Sequence, residues 1–262
     1  MPIVFSALVP HSPILIPSIG KGNINRIKIT LKAYQKLSEK LKNSKPDSII
    51  IITPHGPIQE NVFTINLNPE FEGKFEEFGD FSIKLKMNGD IGLIHKIREA
   101  LETKAPLTLI SEPLLDYGAS VPLYLLAKDL KNIKIIPIYY SELDLPAHFK
   151  FGQLLQHELI ISQENIAIIA SGDLSHRLSE DAPAGYSPKA KKFDSKVIEY
   201  LKNKEINNLN NFDKNLIAEA AECGLRSIVL LMGILNRINY KPVQLSYEAP
   251  FGVGYLIMNF VI

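Results

Sequence analysis

The stretch Ser48-Ile49-Ile50-Ile51-Ile52-Thr53, running into Pro54-His55-Gly56-Pro57, decides the fold. Four consecutive isoleucines leave no polar face, so the segment reads as a strand buried on both sides. Ile166-Ala167-Ile168-Ile169 has the same character. Strands of this kind need helices above and below them. Working outward, further strand-like runs at 3–9, 62–67, 81–87, 133–139, 243–247 and 254–260 are interleaved with helical periodicity at 23–43, 90–103, 120–130, 145–161, 187–202 and 224–236. The pattern predicts an α/β protein: a central mixed, mostly parallel β-sheet with helices on both faces. No linker and no fixed-period repeat interrupts it, so residues 1–262 are expected to form one domain. The aromatic and acidic segment 71–80 reads as a hairpin connection or flap, either a plain surface loop or a cover for a pocket mouth.

Composition narrows the partners. With 29 basic against 28 acidic residues the formal net charge is +1, and no run of either sign stands out. Nucleic acid and membrane surfaces therefore have little electrostatic support as partners. The single cysteine, Cys223, excludes an internal disulfide framework and fits a reducing compartment. The chain opens without a basic leader and has no apolar run of about 20 residues, so a soluble, cytoplasmic protein is expected. No phosphate-binding glycine loop, dinucleotide fingerprint or serine-hydrolase elbow occurs.

Three histidines stand where strand-like runs hand over to loops: His11 in Pro10-His11-Ser12-Pro13, His55 in Pro54-His55-Gly56-Pro57, and His176 in Gly172-Asp173-Leu174-Ser175-His176. Ligands of open α/β sheets bind outside the carboxyl ends of strands, so these loops are candidates for one crevice. His95, His148 and His157 fall in helical segments and read as solvated helix residues. A carboxylate, Glu248, sits in the turn-forming segment Tyr247-Glu248-Ala249-Pro250-Phe251-Gly252 and is placed to reach a cation. Two imidazoles and one carboxylate leave about three coordination positions open on an iron(II) ion, enough for a bidentate catecholate and dioxygen together. The spare imidazole would then accept a substrate proton. Asp173 would fix its tautomer, unless Asp173 or Ser175 caps a helix. Cys223, read at a helix start, is either a small hydrophobe or a thiol with a dipole-lowered pKa. Arg226 is a substrate-anion contact or a partner of Glu222.

Taken together, Ser171-Gly172-Asp173-Leu174-Ser175-His176, Glu222-Cys223-Gly224-Leu225-Arg226-Ser227 and Ser246-Tyr247-Glu248-Ala249-Pro250-Phe251-Gly252-Val253-Gly254-Tyr255 resemble the class III extradiol ring-cleavage dioxygenases. Within that superfamily the segments look like the dioxygenase-like domain of AmmeMemoRadiSam system proteins. The resemblance implies iron ligands at His11, His55 and Glu248 and a base at His176, with Asp173 and Tyr117 beside it. Cys223, Ser12 and Asp116 are implied to line the pocket. It further implies iron(II), or zinc or another divalent metal in its place, a small aromatic substrate with dioxygen, and assembly as a homodimer or with a partner subunit. One departure stands out: Asp116-Tyr117-Gly118 occurs where the family has Asp-His-Gly, and a tyrosine cannot serve as an imidazolium. This favours, as the alternative, a Memo-like metal-binding module without ring cleavage; a metal-assisted hydrolase is a third reading.

Overall fold

The structure, a computed structural model, describes residues 2–262. Its strands are β1 (Ile3–Val9), β2 (Ser48–Thr53), β3 (Phe63–Asn66), β4 (Glu70–Phe75), β5 (Asp80–Gly89), β6 (Leu107–Ile110), β7 (Leu114–Leu115), β8 (Lys134–Tyr139), β9 (Ile166–Ser171), β10 (Lys241–Glu248) and β11 (Tyr255–Val261). Its helices are α1 (Pro17–Gly20), α2 (Lys28–Asn43), α3 (Ile91–Leu101), α4 (Tyr117–Ala127), α5 (Leu145–Ile160), α6 (Ala190–Asn203), α7 (Ile206–Asn210), α8 (Lys214–Ala220) and α9 (Leu225–Ile234).

All strands join one sheet in the order β10-β11-β1-β9-β2-β8-β5-β4-β7. Its centre, β1-β9-β2-β8, is parallel throughout, with Ile50 of β2 opposite Ile168 of β9 and Ile136 of β8. The sheet forks at β8: β5 pairs with its first residues, while β3 runs antiparallel to its last and carries β6 outside it. β11 is antiparallel to β1, so its first residues lie at the same sheet edge as the ends of the parallel strands.

The isoleucine run divides its side chains between two cores. Ile50 and Ile52 pack with α3, α5, α6 and α9 on one face, whereas Ile49 and Ile51 pack with α2 and α4 on the other. The α/β architecture expected from the sequence, with helices on both faces, is the one observed.

Several local expectations are corrected. The helix expected over 23–43 begins at Lys28, after a tighter 3-10 segment over Lys21–Ile27. The helix expected from residue 120 begins at Tyr117, because the Asp116 carboxylate accepts the Ala119 amide and caps it there. Segment 71–80 is mostly strand β4, closed onto β5 by a 3-10 turn at Glu76–Phe78. His148 is buried rather than solvated. Its Nδ1 lies 2.7 Å from the Asp144 carbonyl and its ring edge meets Phe63, and desolvation lowers its pKa to about 4. No helix among the described residues is long and apolar enough to cross a membrane.

Candidate metal centre

Three adjacent parallel strands deliver the site by one rule. β1 ends at Val9, β2 at Thr53 and β9 at Ser171; two residues past these ends stand His11, His55 and Asp173. The residues thus meet at the carboxyl edge of the sheet, where open α/β folds place ligands.

His11 is almost fully buried. Its backbone N–H donates to Asp173 Oδ1 at 3.0 Å and its Nδ1 lies 2.9 Å from Ser171 Oγ. Ser171 has one hydroxyl proton, which it gives to the Gly118 carbonyl at 2.5 Å. Ser171 can therefore only accept from the imidazole, so Nδ1 carries the proton and Nε2 is a bare lone pair. That lone pair faces His55 Nε2 at 2.9 Å. Two ring nitrogens at this separation need a proton or a cation between them. Desolvation, reinforced by the other site histidines, lowers the pKa of His11 and of His55 to about 3. Both are neutral near pH 7 and fit to bind a metal ion.

The third donor is Cys223. Its Sγ lies 3.5 Å from His11 Nε2, accepts the Asp173 amide at 3.4 Å, and with His11 and His55 forms a group whose donor atoms all lie within 4.8 Å of one another. A close backbone approach makes this possible: a Cβ on Gly172 would stand 2.3 Å from Gly224 Cα, so only glycine lets the β9 loop lie against the segment carrying Cys223. The expected lowering of the thiol pKa by the helix is overturned. Burial, with Asp173 and Glu222 nearby, pushes it well up, so a proton stays on the sulfur until a cation displaces it.

Glu248, expected as a ligand, is not brought to this group. Its Oε1 accepts the Thr30 amide at 2.6 Å and the Thr30 hydroxyl at 2.7 Å, so the carboxylate ties β10 to the first turn of α2. Arg226 likewise faces elsewhere: it lines a separate cleft of about 590 Å³ between the 142–146 loop, α7, α8 and the start of α9.

The remaining candidates gather around the histidines. Tyr117 stacks on His55 with ring centres 4.3 Å apart, and Phe78 of the β4–β5 turn meets its edge, so the aromatic segment does touch the site. Asp173 Oδ2 lies 3.9 Å from His11 Nε2 and 4.0 Å from His176 Nε2, in a loop rather than at a helix cap. Burial raises the Asp173 pKa. Nδ1 of His176 is buried without a partner. Ser12 Oγ accepts the Tyr255 hydroxyl at 3.2 Å. Asp116 does not line the cavity; it accepts the Thr53 hydroxyl at 2.5 Å behind it, and burial lifts its pKa to about 6. The cavity, about 370 Å³, is lined by the histidines, Asp173, Tyr117, Ser12 and Tyr255 and walled by Pro13, Ile14, Pro183, Phe251 and Val253.

The fold and this edge-of-sheet arrangement define an α/β protein in which His11, His55 and Cys223 could hold a metal ion. The chain belongs to the LigB family: residues 6–258 match the family described as the catalytic LigB subunit of aromatic ring-opening dioxygenase. It is 36% identical over 264 residues to protein CA_C1420 of Clostridium acetobutylicum, covering 96% of this chain and 56% of that one; it thus spans little more than half of that relative's length. It is 27% identical to the 4,5-DOPA dioxygenase extradiol of Beta vulgaris, over 72% of each chain, and 24% identical to the 3,4-dihydroxyphenylacetate 2,3-dioxygenase of Escherichia coli, over 75% of each. An uncharacterized protein of Escherichia coli K12, JW3007, shares the fold with a TM-score of 0.71 at 16% identity, over 98% of this chain and 99% of that one.

Proposed function

We propose that the protein is a metal-dependent extradiol dioxygenase whose ion is held by His11, His55 and Cys223, and that it opens a catechol-type ring with dioxygen. The observation carrying this reading is the convergence of the two Nε2 atoms, 2.9 Å apart, with Sγ at 3.5 Å, beside His176, whose Nδ1 has no partner among the described residues. When bound, iron(II) supplies simultaneous coordination of the two ring hydroxyls and dioxygen. The chain supplies the rest. His176 takes a proton from a ring hydroxyl, and Asp173 faces the imidazolium so formed. Tyr117 holds His55 in place by stacking and lines the cavity. Pro13, Ile14, Pro183, Phe251 and Val253 give the ring an apolar wall to pack against. The carbon–carbon bond beside the hydroxyls breaks and both oxygen atoms enter the product, so the ring is oxidised and dioxygen reduced. Reconstitution with iron(II) without oxygen, then a catechol panel with air, should give yellow ring-opened products; a panel without turnover by metal-loaded protein overturns this reading.

Cys223 and Tyr117 favour a second reading. Thiolate is a softer ligand than carboxylate and suits zinc or copper as well as iron, and Tyr117 stands where the family has a histidine. On this reading the chain is a Memo-like module related to the AmmeMemoRadiSam proteins, binding metal in the cytoplasm and working with a partner protein. Tight metal retention that is lost in Cys223→Ser, without turnover of any catechol, is its signature.

A further inference from the structure

Beside the three histidines, the polar lining of the cavity is Asp173, Tyr117, Ser12 and Tyr255. Among the described residues the lining contains neither lysine nor arginine, and Asp173 is its only carboxylate. The apolar part of the lining is Pro13, Ile14, Pro183, Phe251 and Val253. The arginines of adjoining segments are not part of the lining. Arg26 lies over Phe251, 4.3 Å from the ring centre, and donates to the Pro250 carbonyl at 2.6 Å; Nη1 of Arg177 lies 3.9 Å from Glu219. A carboxylate on the substrate ring would exchange part of its hydration for the apolar wall, meet no lysine or arginine of the lining and share the cavity with Asp173.

We infer that the pocket selects a dihydroxylated aromatic whose ring substituent is uncharged and apolar, and discriminates against catechols with an acidic side chain. This rests on the catechol reading above. The matched probes are 4-ethylcatechol and 3,4-dihydroxyphenylacetate, which have the same carbon skeleton and differ in the terminal group.

The test is titration calorimetry of zinc-loaded protein under nitrogen, which reads binding without turnover. 4-Ethylcatechol should bind at least about tenfold more tightly than the acid. Ile14→Arg, or Phe251→Arg should the first fail to fold, supplies the absent cation and should reduce that ratio severalfold or invert it. Equal or tighter binding of the acid by the unmodified protein overturns the inference and leaves the catechol reading standing. Failure of 4-ethylcatechol, the acid and catechol itself to bind overturns both.

Discussion

Ser171 determines which nitrogen of His11 faces the cavity, because its one proton is committed to the Gly118 carbonyl. Ser171→Ala removes the acceptor for Nδ1–H and frees the ring to turn or change tautomer. Metal affinity should drop about 10–100-fold while the fold persists, measured by competition with a chelator. Glu248 and Cys223 provide the opposing pair. Glu248→Ala should retain metal but lose about 1–3 kcal/mol of stability, since two charge-assisted bonds to Thr30 disappear. Cys223→Ser should do the reverse, and denaturant titration with metal analysis separates the two. At this scale the residues the structure gathers at the cavity, His11, His55, Asp173 and His176, stand at positions readable in the sequence, because each sits just past a strand or in the loop that follows one. The sequence did not distinguish Glu248 from Cys223. The first looked free on its turn until α2 supplied the Thr30 amide, and the second reaches the histidines only through the contact of Gly172 with Gly224, two segments far apart in the chain.

Between elements, Asp194 of α6 does the joining. Its carboxylate is buried, accepting the Ser175 amide at 2.9 Å and the Tyr247 hydroxyl at 2.7 Å, so it ties the His176 loop to β10. Burial lifts its pKa to about 7, with the two hydrogen bonds opposing, against an unfolded value near 3.9. The folded protein therefore holds a proton that the unfolded chain has released between these values. This contribution to stability is full below pH ~4 and is lost as pH rises toward 7, by at most ~1.4 kcal/mol per pH unit. Asp194→Asn should flatten that slope in thermal melts across pH 4–7; an unchanged slope would show that Asp194 is not the group responsible. The same scale explains which elements were readable. β2 and β9 declare themselves through apolar runs. β6 and β7 are four and two residues long and exist because β3 and β4 offer them an edge, which no local pattern announces. α7 interrupts an asparagine-rich stretch where only the burial of Leu209 rewards a helix.

For the whole molecule, the isoleucine run is divided between two cores, and neither core contains His11, His55 or Cys223, although Val253 and Tyr255 of one of them also line the cavity. An ion held by His11, His55 and Cys223 would sit on one edge of that scaffold. Its binding should then add to stability by mass action alone rather than enabling folding, in contrast to small domains whose cores are built around zinc. Free ion at one hundred times its dissociation constant contributes ~2.7 kcal/mol, and a domain of this size gains about 2–4 °C in Tm per kcal/mol. Scanning calorimetry should therefore find a cooperative transition in chelator-treated protein, moved up by about 5–10 °C with saturating zinc. Cys223→Ser should lose most of the shift, while Glu248→Ala keeps it from a lower starting Tm. A chelated protein with no transition at all would place the metal inside the folding unit and refute the independence of scaffold and site.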